Sequence, residues 1–394
     1  MKMKSLRRRV PLKTNKHTIK QIQKLKKKKS ASKQQILQKR LATITNKRPK
    51  APMSSGGVKW KGPAAFIFSL VFIILAVPTI IVVPFISSSE VQSQSIDQES
   101  EAKVATTELE EDSAVEVAVM RTQTDQIENV PLEAYITGVV AEEMPVEFEL
   151  EALKAQALAA RTYVVNKMLY QSEEDAADVT DTIQDQVYKN DAELRAKWGT
   201  NYNYNMKKIS EAVLATKGQI ITYQDKPIDP QFFSTSNGFT ENSEDYYINE
   251  IPYLRSVPSP WDEASPYYLD QETFTFEQVE SALGIDLPNN KQLVIESTRT
   301  ESKRVGQLNL EGNTFTGREV REKLKLRSND FTVKQKDNYL IFTTKGNGHG
   351  VGMSQYGANG MAKEGKTYED IVKYYYKDVE ISKMDEAVPA LVMQ

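Results

Sequence analysis

The sequence of 394 residues contains no cysteine and only two histidines, His17 and His349. Without cysteine the chain forms no disulfide and no cysteine-based zinc site. Two histidines are also too few for a histidine-rich metal centre. We therefore expect no bound metal and no other cofactor.

Acidic residues are absent from the first part of the chain. Residues 1–62 hold 21 of the 51 Lys and Arg residues and no Asp or Glu, so the rest carries 30 basic against 53 acidic residues. Such a basic segment is read either as a nucleic-acid arm or as a solvated tail beside a membrane. We favour the tail, because the run Lys26–Lys29 would attract anionic lipid, and we expect no nucleic-acid partner.

Charge of either sign is absent from residues 63–86. The 23 uncharged residues Ala64–Ile86 span about 35 Å as a helix, which is enough for a bilayer core of about 30 Å. A signal peptide is the alternative, but the stretch is long for one and its leader is atypical. We predict a transmembrane helix at 63–86, with the basic tail 1–62 cytoplasmic and the C-terminal part outside.

The remaining sequence predicts an extracytoplasmic α+β domain behind a spacer. Residues 87–126 are rich in Ser, Gln, Glu and Ala and lack aromatic residues, as flexible linkers do. Short strands and helices alternate over 263–342, which we interpret as a second lobe inserted into a main domain. That main domain then comprises 127–262 together with 343–385.

Two predicted helices, 132–144 and 149–170, are separated by about four residues and should form an antiparallel hairpin. On the first helix, Glu143 falls at the centre of the apolar stripe, whereas Glu142 falls at its edge. Burial disfavours the charged form of a carboxyl group and raises its pKa. We therefore predict that Glu143 is a general acid/base.

Two cations lie inside the apolar stripe of the second predicted helix, Lys154 and Arg161. The hairpin would turn their face towards Glu143, either as part of a reactive site or as a buried ion pair. A nearby cation lowers the pKa of a carboxyl group, which opposes the effect of burial. The sequence leaves both the role of these cations and the direction of the pKa shift of Glu143 open.

Glycine surrounds the second histidine in the run Gly346-Asn-Gly-His-Gly-Val-Gly352. Glycine at every second position allows a backbone to approach a ligand closely, so His349 is either a structural hydrogen-bonding group or part of a site. The stretch Phe233–Glu241 groups hydroxyls and an amide at a predicted strand end. Such groups suit sugar hydroxyls, although a polar turn is the simpler interpretation.

Several motifs follow one another in an order that resembles the stage II sporulation protein D family. They are Val130–Pro145, Glu151–Tyr163, Asp185–Tyr188, Phe233–Thr240, Pro252–Asp262 and Gly346–Gly357. The resemblance implies a lytic transglycosylase that cleaves the MurNAc-β-1,4-GlcNAc bond of peptidoglycan, with the catalytic glutamate at Glu143 and the main domain as the catalytic domain. Some relatives bind zinc through cysteine, which this chain lacks.

The resemblance also implies substrate contacts from the matched motifs: Lys154, Arg161, Tyr163, Gln186, Tyr188, Thr235, Ser236, Asn237, His349, Gln355 and Tyr356. The implied substrate is glycan stripped of peptides, cut during engulfment in sporulation. The implied partners are an amidase resembling stage II sporulation protein P and a membrane protein resembling stage II sporulation protein M.

Two other functions remain open at this point. The chain could be a wall-binding scaffold that recruits and stimulates an amidase without cutting glycan. It could also be a true hydrolase, which needs a second carboxylate, and Glu241 or Asp245 is the candidate for that carboxylate.

Overall fold

The computed structural model describes residues 115–171 and 175–392. The predicted cytoplasmic tail, the predicted transmembrane helix at 63–86 and most of the predicted spacer lie outside these ranges. Within the ranges, no helix has both the length and the apolar character that crossing a bilayer requires.

The described residues form a mixed α+β structure, as predicted. The helices are α1 Leu132–Glu143, α2 Leu150–Tyr170, α3 Asp191–Trp198, α4 Tyr202–Ala215, α5 Ser243–Tyr246, α6 Phe276–Leu283, α7 Gly317–Leu324, α8 Gln355–Lys363, α9 Tyr368–Tyr375, α10 Met384–Ala387 and α11 Pro389–Val392. The strands are β1 Glu116–Arg121, β2 Gln126–Pro131, β3 Val179–Thr180, β4 Gln219–Tyr223, β5 Lys226–Pro227, β6 Phe232–Phe233, β7 Leu269–Thr275, β8 Ile295–Arg299, β9 Val305–Leu310, β10 Asn313–Thr316, β11 Phe331–Lys336, β12 Tyr339–Lys345, β13 Met353–Ser354 and β14 Glu380–Lys383.

Helix α1 ends where the sequence predicts. Met144 adopts an extended conformation, with φ −120° and ψ 140°, because the ring of Pro145 disfavours helical geometry in the residue before it. The helix is buried on nearly every side rather than along one stripe, since Glu133, Thr137, Gly138 and Ala141 are buried together with the apolar residues. Only its last two residues, Glu142 and Glu143, are partly exposed among those of its C-terminal turn.

The main hydrophobic core forms around the α1–α2 hairpin. Helices α4, α8 and α9 and strand β4 pack against α2, and α4 also packs against α1. Strand β4 pairs with β14 and β5 in a three-stranded antiparallel sheet. Alanines such as Ala152, Ala155 and Ala159 are fully buried on α2, which lets neighbouring helices approach this helix closely.

A buried ion pair joins the two helices of the hairpin. The guanidinium group of Arg161 donates to both carboxylate oxygens of Glu133, with Nη2 to Oε2 at 2.6 Å and Nε to Oε1 at 3.0 Å. Arg161 also donates to Thr216 Oγ1 and to the carbonyls of Val213 and Gln219. The middle of α2 thus lies beside the first turn of α1, which confirms that the hairpin is antiparallel.

A second hydrophobic cluster is built only from residues between Phe276 and Phe342. Two antiparallel sheets, in the orders β10-β9-β8 and β11-β12-β7, contribute to it together with α6 and α7. Capping boxes begin both helices, at Thr275 and Thr316. This cluster falls within the stretch 263–342 that the sequence predicts as an inserted lobe, and its independence as a domain stays a prediction.

Short parallel and antiparallel pairings bring the chain back to the main core after the second cluster. Strand β13 pairs with β6, and isolated bridges join Thr235 to Asn347 and Glu241 to Val351. Strand β6 is short, because only Phe232 and Phe233 pair. Their partner strand β13 has only two residues as well, because α8 begins directly after it.

We expect the Arg161→Met substitution to destabilise the fold by about 3–5 kcal/mol, because it leaves the Glu133 carboxylate buried without its cation. Urea unfolding of the full chain measures the loss. Lys383→Met is the control, since the Lys383–Glu386 pair is exposed and should contribute at most about 1 kcal/mol. Equal effects of the two substitutions would contradict the structural role of the buried pair.

Candidate active site at the end of helix α1

The residues around the end of α1 are held in place by a buried carboxylate, Asp262. It has no exposed surface, and it accepts hydrogen bonds from the backbone N–H and hydroxyl of Ser236 at 2.8 Å each. The hydroxyls of Ser259 and Ser354 also donate to it. Ser354 in turn caps the N-terminus of α8 by accepting from the N–H of Gly357, so Asp262 fixes where α8 begins.

Gly357 is required by the tight packing at this point. A Cβ atom there would lie 2.0 Å from the hydroxyl oxygen of Tyr375 and 2.4 Å from Ser259 Oγ. Only glycine therefore lets α8 approach the Asp262 cluster this closely.

Glu143, the last residue of α1, is half-buried and has partners on two sides. Its Oε1 accepts a hydrogen bond from the backbone N–H of Val187 at 3.0 Å. Its backbone carbonyl accepts from Nε2 of Gln355 at 3.1 Å, which satisfies a carbonyl that the end of a helix leaves free. The carboxyl group is therefore held in position but keeps one oxygen without a described partner.

Desolvation by burial raises the pKa of Glu143, and the negative charge of Glu142 acts in the same direction. The hydrogen bond from Val187 favours the ionised form and lowers the pKa, but burial has the larger effect. The direction of the shift, which the sequence left open, is therefore upward. A carboxyl group with a raised pKa retains its proton closer to neutral pH, as a general acid requires.

Glu142 has a different environment from its neighbour. Its Oε2 accepts from Nζ of Lys197 at 2.6 Å, and 26% of its side chain is exposed. The ammonium group of Lys197 also donates to the carbonyl of Ala141 at 3.3 Å. Glu142 is thus paired with a cation. No positive charge contributes to the pKa shift of Glu143.

Both glutamates line a cavity of about 500 Å³. Its wall combines aromatic rings with polar and charged side chains from distant parts of the chain. The lining residues are Glu142, Glu143, Met144, Pro145, Lys197, Phe232, Phe233, Ser234, Tyr267, Asn347, Gln355 and Tyr356. Two of the predicted substrate residues, Gln355 and Tyr356, therefore lie beside Glu143.

Lys154 and Arg161 do not lie at this cavity, which corrects the expectation that they face Glu143. Lys154 pairs with Glu151 at 2.6 Å and lies over the ring of Tyr368. Arg161 is fully buried and is committed to Glu133 at the opposite end of α1. Arg161 does form a buried ion pair, but with Glu133 and not with Glu143, as the sequence-based alternative required.

The predicted hydroxyl and amide cluster points into the protein. Thr235, Ser236 and Asn237 are all buried. Thr235 shares a hydrogen bond with Ser265, Ser236 donates to Asp262, and Asn237 donates to the carbonyl of Ser302 and to Asp330. These side chains hydrogen-bond within the protein and hold the loop in place, and they do not line the cavity beside Glu143.

His349 has a structural role in the glycine-rich loop. Its Nδ1 accepts from the N–H of Val351 at 3.1 Å, and its Nε2 lies 3.0 Å from the carbonyl oxygen of Phe232, to which the neutral ring donates. Burial, assisted by the positive charge of Arg321, lowers the pKa of His349 to about 3. The imidazole is therefore neutral, both of its nitrogens are hydrogen-bonded within the protein, and His349 does not line the cavity beside Glu143.

Tyr163, Gln186 and Tyr188 lie behind Glu143 rather than in the wall of the cavity. The hydroxyl of Tyr163 donates to Asp185 at 3.0 Å, and Gln186 Oε1 accepts from the hydroxyl of Tyr135 at 3.2 Å. The ring of Tyr188 stacks on that of Tyr135, with centroids 5.2 Å apart. These residues support the segment that carries Val187, and they do not line the cavity.

Sequence reasoning missed several residues of the cavity wall, notably Lys197, Tyr267 and Asn347. Asn347 lies inside the glycine-rich motif, and this position could have identified it as a candidate site residue. Nothing in the sequence indicated Lys197 or Tyr267, because each lies in a segment without a distinctive pattern. Among the described residues, no group of three or more His, Cys, Asp or Glu side chains is arranged to hold a metal ion.

We expect Glu143→Gln to raise the stability of the protein at neutral pH. The raised pKa of Glu143 means that its stabilising contribution is present below the ordinary glutamate pKa and is lost as the pH rises through the folded-state value. Urea unfolding at pH 4 and pH 7.5 should therefore show a gain for the variant at pH 7.5 that shrinks at pH 4. Glu142→Gln, which breaks the pair with Lys197, should show no gain, and a gain equal to that of Glu143→Gln would contradict the assignment.

Comparison with known proteins agrees with the motifs at this site. A family model described as Stage II sporulation protein matches residues 120–223. The chain is 47% identical over 335 residues to stage II sporulation protein D of Bacillus amyloliquefaciens, covering 82% of this chain and 96% of that protein. It is also 47% identical over 320 residues to stage II sporulation protein D of Bacillus subtilis (strain 168), covering 79% and 93%.

A more distant relative is the protein named Amidase enhancer of Bacillus subtilis (strain 168). It is 27% identical over 298 residues, which cover 61% of this chain and 39% of that protein. The high identity over nearly the full length of the two sporulation proteins determines the assignment: the chain belongs to the stage II sporulation protein D family.

Proposed function

We propose that this protein is a lytic transglycosylase that cleaves the MurNAc-β-1,4-GlcNAc bond of bacterial peptidoglycan. The observation that carries the proposal is the carboxyl group of Glu143, which lies at the cavity with a raised pKa and has no ion pair within the described part of the chain. Family membership supports a role in sporulation, and the relative named Amidase enhancer supports a role at the cell wall.

The reaction needs one group that first gives and then takes a proton. Protonated Glu143 donates its proton to the glycosidic oxygen as the bond from that oxygen to C1 of the muramic acid breaks. The 6-hydroxyl of the same muramic acid then attacks C1, and its proton passes to the carboxylate of Glu143. The products are a 1,6-anhydro-muramic acid end and a free GlcNAc 4-hydroxyl, and Glu143 returns to its starting state.

The wall of the cavity suits a carbohydrate. The rings of Tyr267 and Tyr356 pack edge to face with centroids 6.0 Å apart, and Tyr267 is 41% exposed. Aromatic rings present flat apolar faces, and polar groups beside them fix the orientation of a ligand. Asn347 and Ser234 supply such polar groups in the same wall.

Inversion or retention by an ordinary hydrolase would require a second carboxylate. Glu241 is fully buried and accepts a hydrogen bond from Thr300, and Asp245 is an exposed residue of α5. Neither residue lines the cavity. Glu142 does, but its carboxylate is paired with Lys197, which favours the reaction with a single carboxyl group.

Cleavage of peptide-stripped glycan strands by the full chain tests the proposal. We expect Glu143→Gln to lower the rate on the order of 10²- to 10⁴-fold, the usual contribution of a general acid/base. Mass spectrometry of the wild-type products should show 1,6-anhydro ends. Glu142→Gln is the matched control and should retain most of the activity.

The possible outcomes separate three functions. Reducing ends instead of anhydro ends would indicate a hydrolase and overturn the proposal. Absence of cleavage by the wild-type protein, combined with stimulation of an amidase, would indicate a non-catalytic scaffold, the function that the name of the distant relative suggests. Full cleavage by Glu143→Gln would remove Glu143 from the mechanism.

We also propose that the enzyme works outside the cell, anchored by a single transmembrane helix at residues 63–86. The sequence supports this arrangement through the uncharged stretch and the basic residues 1–62 before it. Its proposed partners are glycan strands, an amidase resembling stage II sporulation protein P and a membrane protein resembling stage II sporulation protein M, acting together in septal wall remodelling during engulfment.

The absence of cysteine allows a direct test of this topology. In intact cells, a membrane-impermeant maleimide should label Ile183→Cys, because Ile183 is 90% exposed. The same reagent should label Ser30→Cys, in the basic tail, only after the cells are lysed. Equal labelling of the two variants in intact cells would contradict the proposed orientation.

A further inference from the structure

The segment Asp185–Tyr188 provides the hydrogen bond that the Glu143 carboxyl receives. The donor is the backbone N–H of Val187, 3.0 Å from Oε1 of Glu143. A backbone donor cannot be adjusted by a change of rotamer. Its distance from the carboxyl therefore depends on whatever holds the segment in place.

Asp185 fastens the start of this segment with four hydrogen bonds or ion pairs. Its Oδ2 accepts from the backbone N–H and from the hydroxyl of Thr180, at 2.9 Å each. Its Oδ1 accepts from the hydroxyl of Tyr163 at 3.0 Å and lies 3.0 Å from Nζ of Lys167. The carboxylate thus joins the segment to strand β3 and to helix α2.

The rest of the segment packs against α1, the helix that ends in Glu143. The hydroxyl of Tyr135 donates to the side chain of Gln186, and the ring of Tyr188 stacks on the same tyrosine. At Gly138, a Cβ atom would lie only 2.5 Å from the ring of Tyr188. The segment is therefore in close contact with α1 on one side and tied to α2 and β3 on the other.

We propose that Asp185 is a positioning residue for Glu143: its carboxylate holds the segment Asp185–Tyr188 so that the N–H of Val187 stays on the Glu143 carboxyl and orients it towards the cavity. The catalytic meaning of this arrangement rests on the proposed function, although the positioning itself does not. A general acid/base that must act twice in one turnover gains from a fixed donor, because the carboxyl keeps the same orientation in both protonation states.

The chemistry predicts opposite results for positioning and for a direct effect of charge. If Asp185 acted only through its negative charge, Asp185→Asn would remove a nearby anion and lower the pKa of Glu143. If Asp185 acts by positioning, the substitution loosens the segment and removes the hydrogen bond that stabilises ionised Glu143. The pKa of Glu143 then rises, because the hydrogen bond from Val187 no longer counteracts the effect of burial.

The test is an NMR titration of the full chain with ¹³C-labelled glutamate carboxyl groups, in which Glu143→Gln identifies the signal of Glu143. We expect Asp185→Asn to shift the titration midpoint of Glu143 to higher pH. An unchanged or lowered midpoint would overturn the proposal. Asp178→Asn is the matched control, because Asp178 is also half-buried and binds a backbone N–H, that of Ala118, at 2.7 Å, so its loss should leave the midpoint in place.

A second variant keeps the proposal falsifiable if Asp185→Asn fails to fold. Tyr163→Phe removes one donor to Asp185 and leaves the aspartate charge unchanged, so we expect a smaller upward shift of the Glu143 midpoint. No shift in this folded variant would count against the proposal.

The titration needs no turnover, so its result is independent of the proposed function. If the wild-type protein cleaves glycan, the high-pH limb of its rate profile should move upward in Asp185→Asn by the same amount as the midpoint, since Glu143 must be protonated to act as the acid. If the wild-type protein does not cleave glycan, the proposed function fails and the positioning of Glu143 is judged by the titration alone.

Discussion

The site depends on one buried carboxylate, that of Asp262, more than on any residue of its own wall. Asp262 accepts hydrogen bonds from Ser236, Ser259 and Ser354, which belong to three separate stretches of the chain. A buried charge is tolerated only when such donors replace the lost water. Because Ser354 also caps α8, this interaction determines where Gln355 and Tyr356 stand relative to the end of α1.

Much of the local structure follows from the sequence. Helical periodicity predicted the extent of α1 to within one residue, and the position of Glu143 on the helix singled it out from Glu142. The pairing of Arg161 did not follow, because an angle around a helix axis does not say how far along the neighbouring helix a side chain reaches. The structure places Arg161 beside Glu133, ten residues before Glu143, and both helices are buried on most sides.

Composition was a poor guide to which polar groups face the cavity. Ser236 and Asn237 have the chemistry of sugar-binding residues, yet their partners are Asp262 and Asp330 in the interior. The same donors and acceptors serve a buried network and a binding surface equally well. Conversely, Lys197 and Tyr267 reach the cavity only through the tertiary fold, and no local spacing reports such a contact.

The cavity joins residues that are far apart in the chain, since Gln355 donates to the carbonyl of Glu143 across 212 positions. Contacts of such long range form late, after the cost of closing a long loop has been met. A newly made chain would therefore present Glu143 long before the opposite wall exists beside it. Completion of the site is therefore coupled to completion of folding. A partly synthesised or truncated chain contains Glu143 but lacks the cavity wall formed by Gln355 and Tyr356.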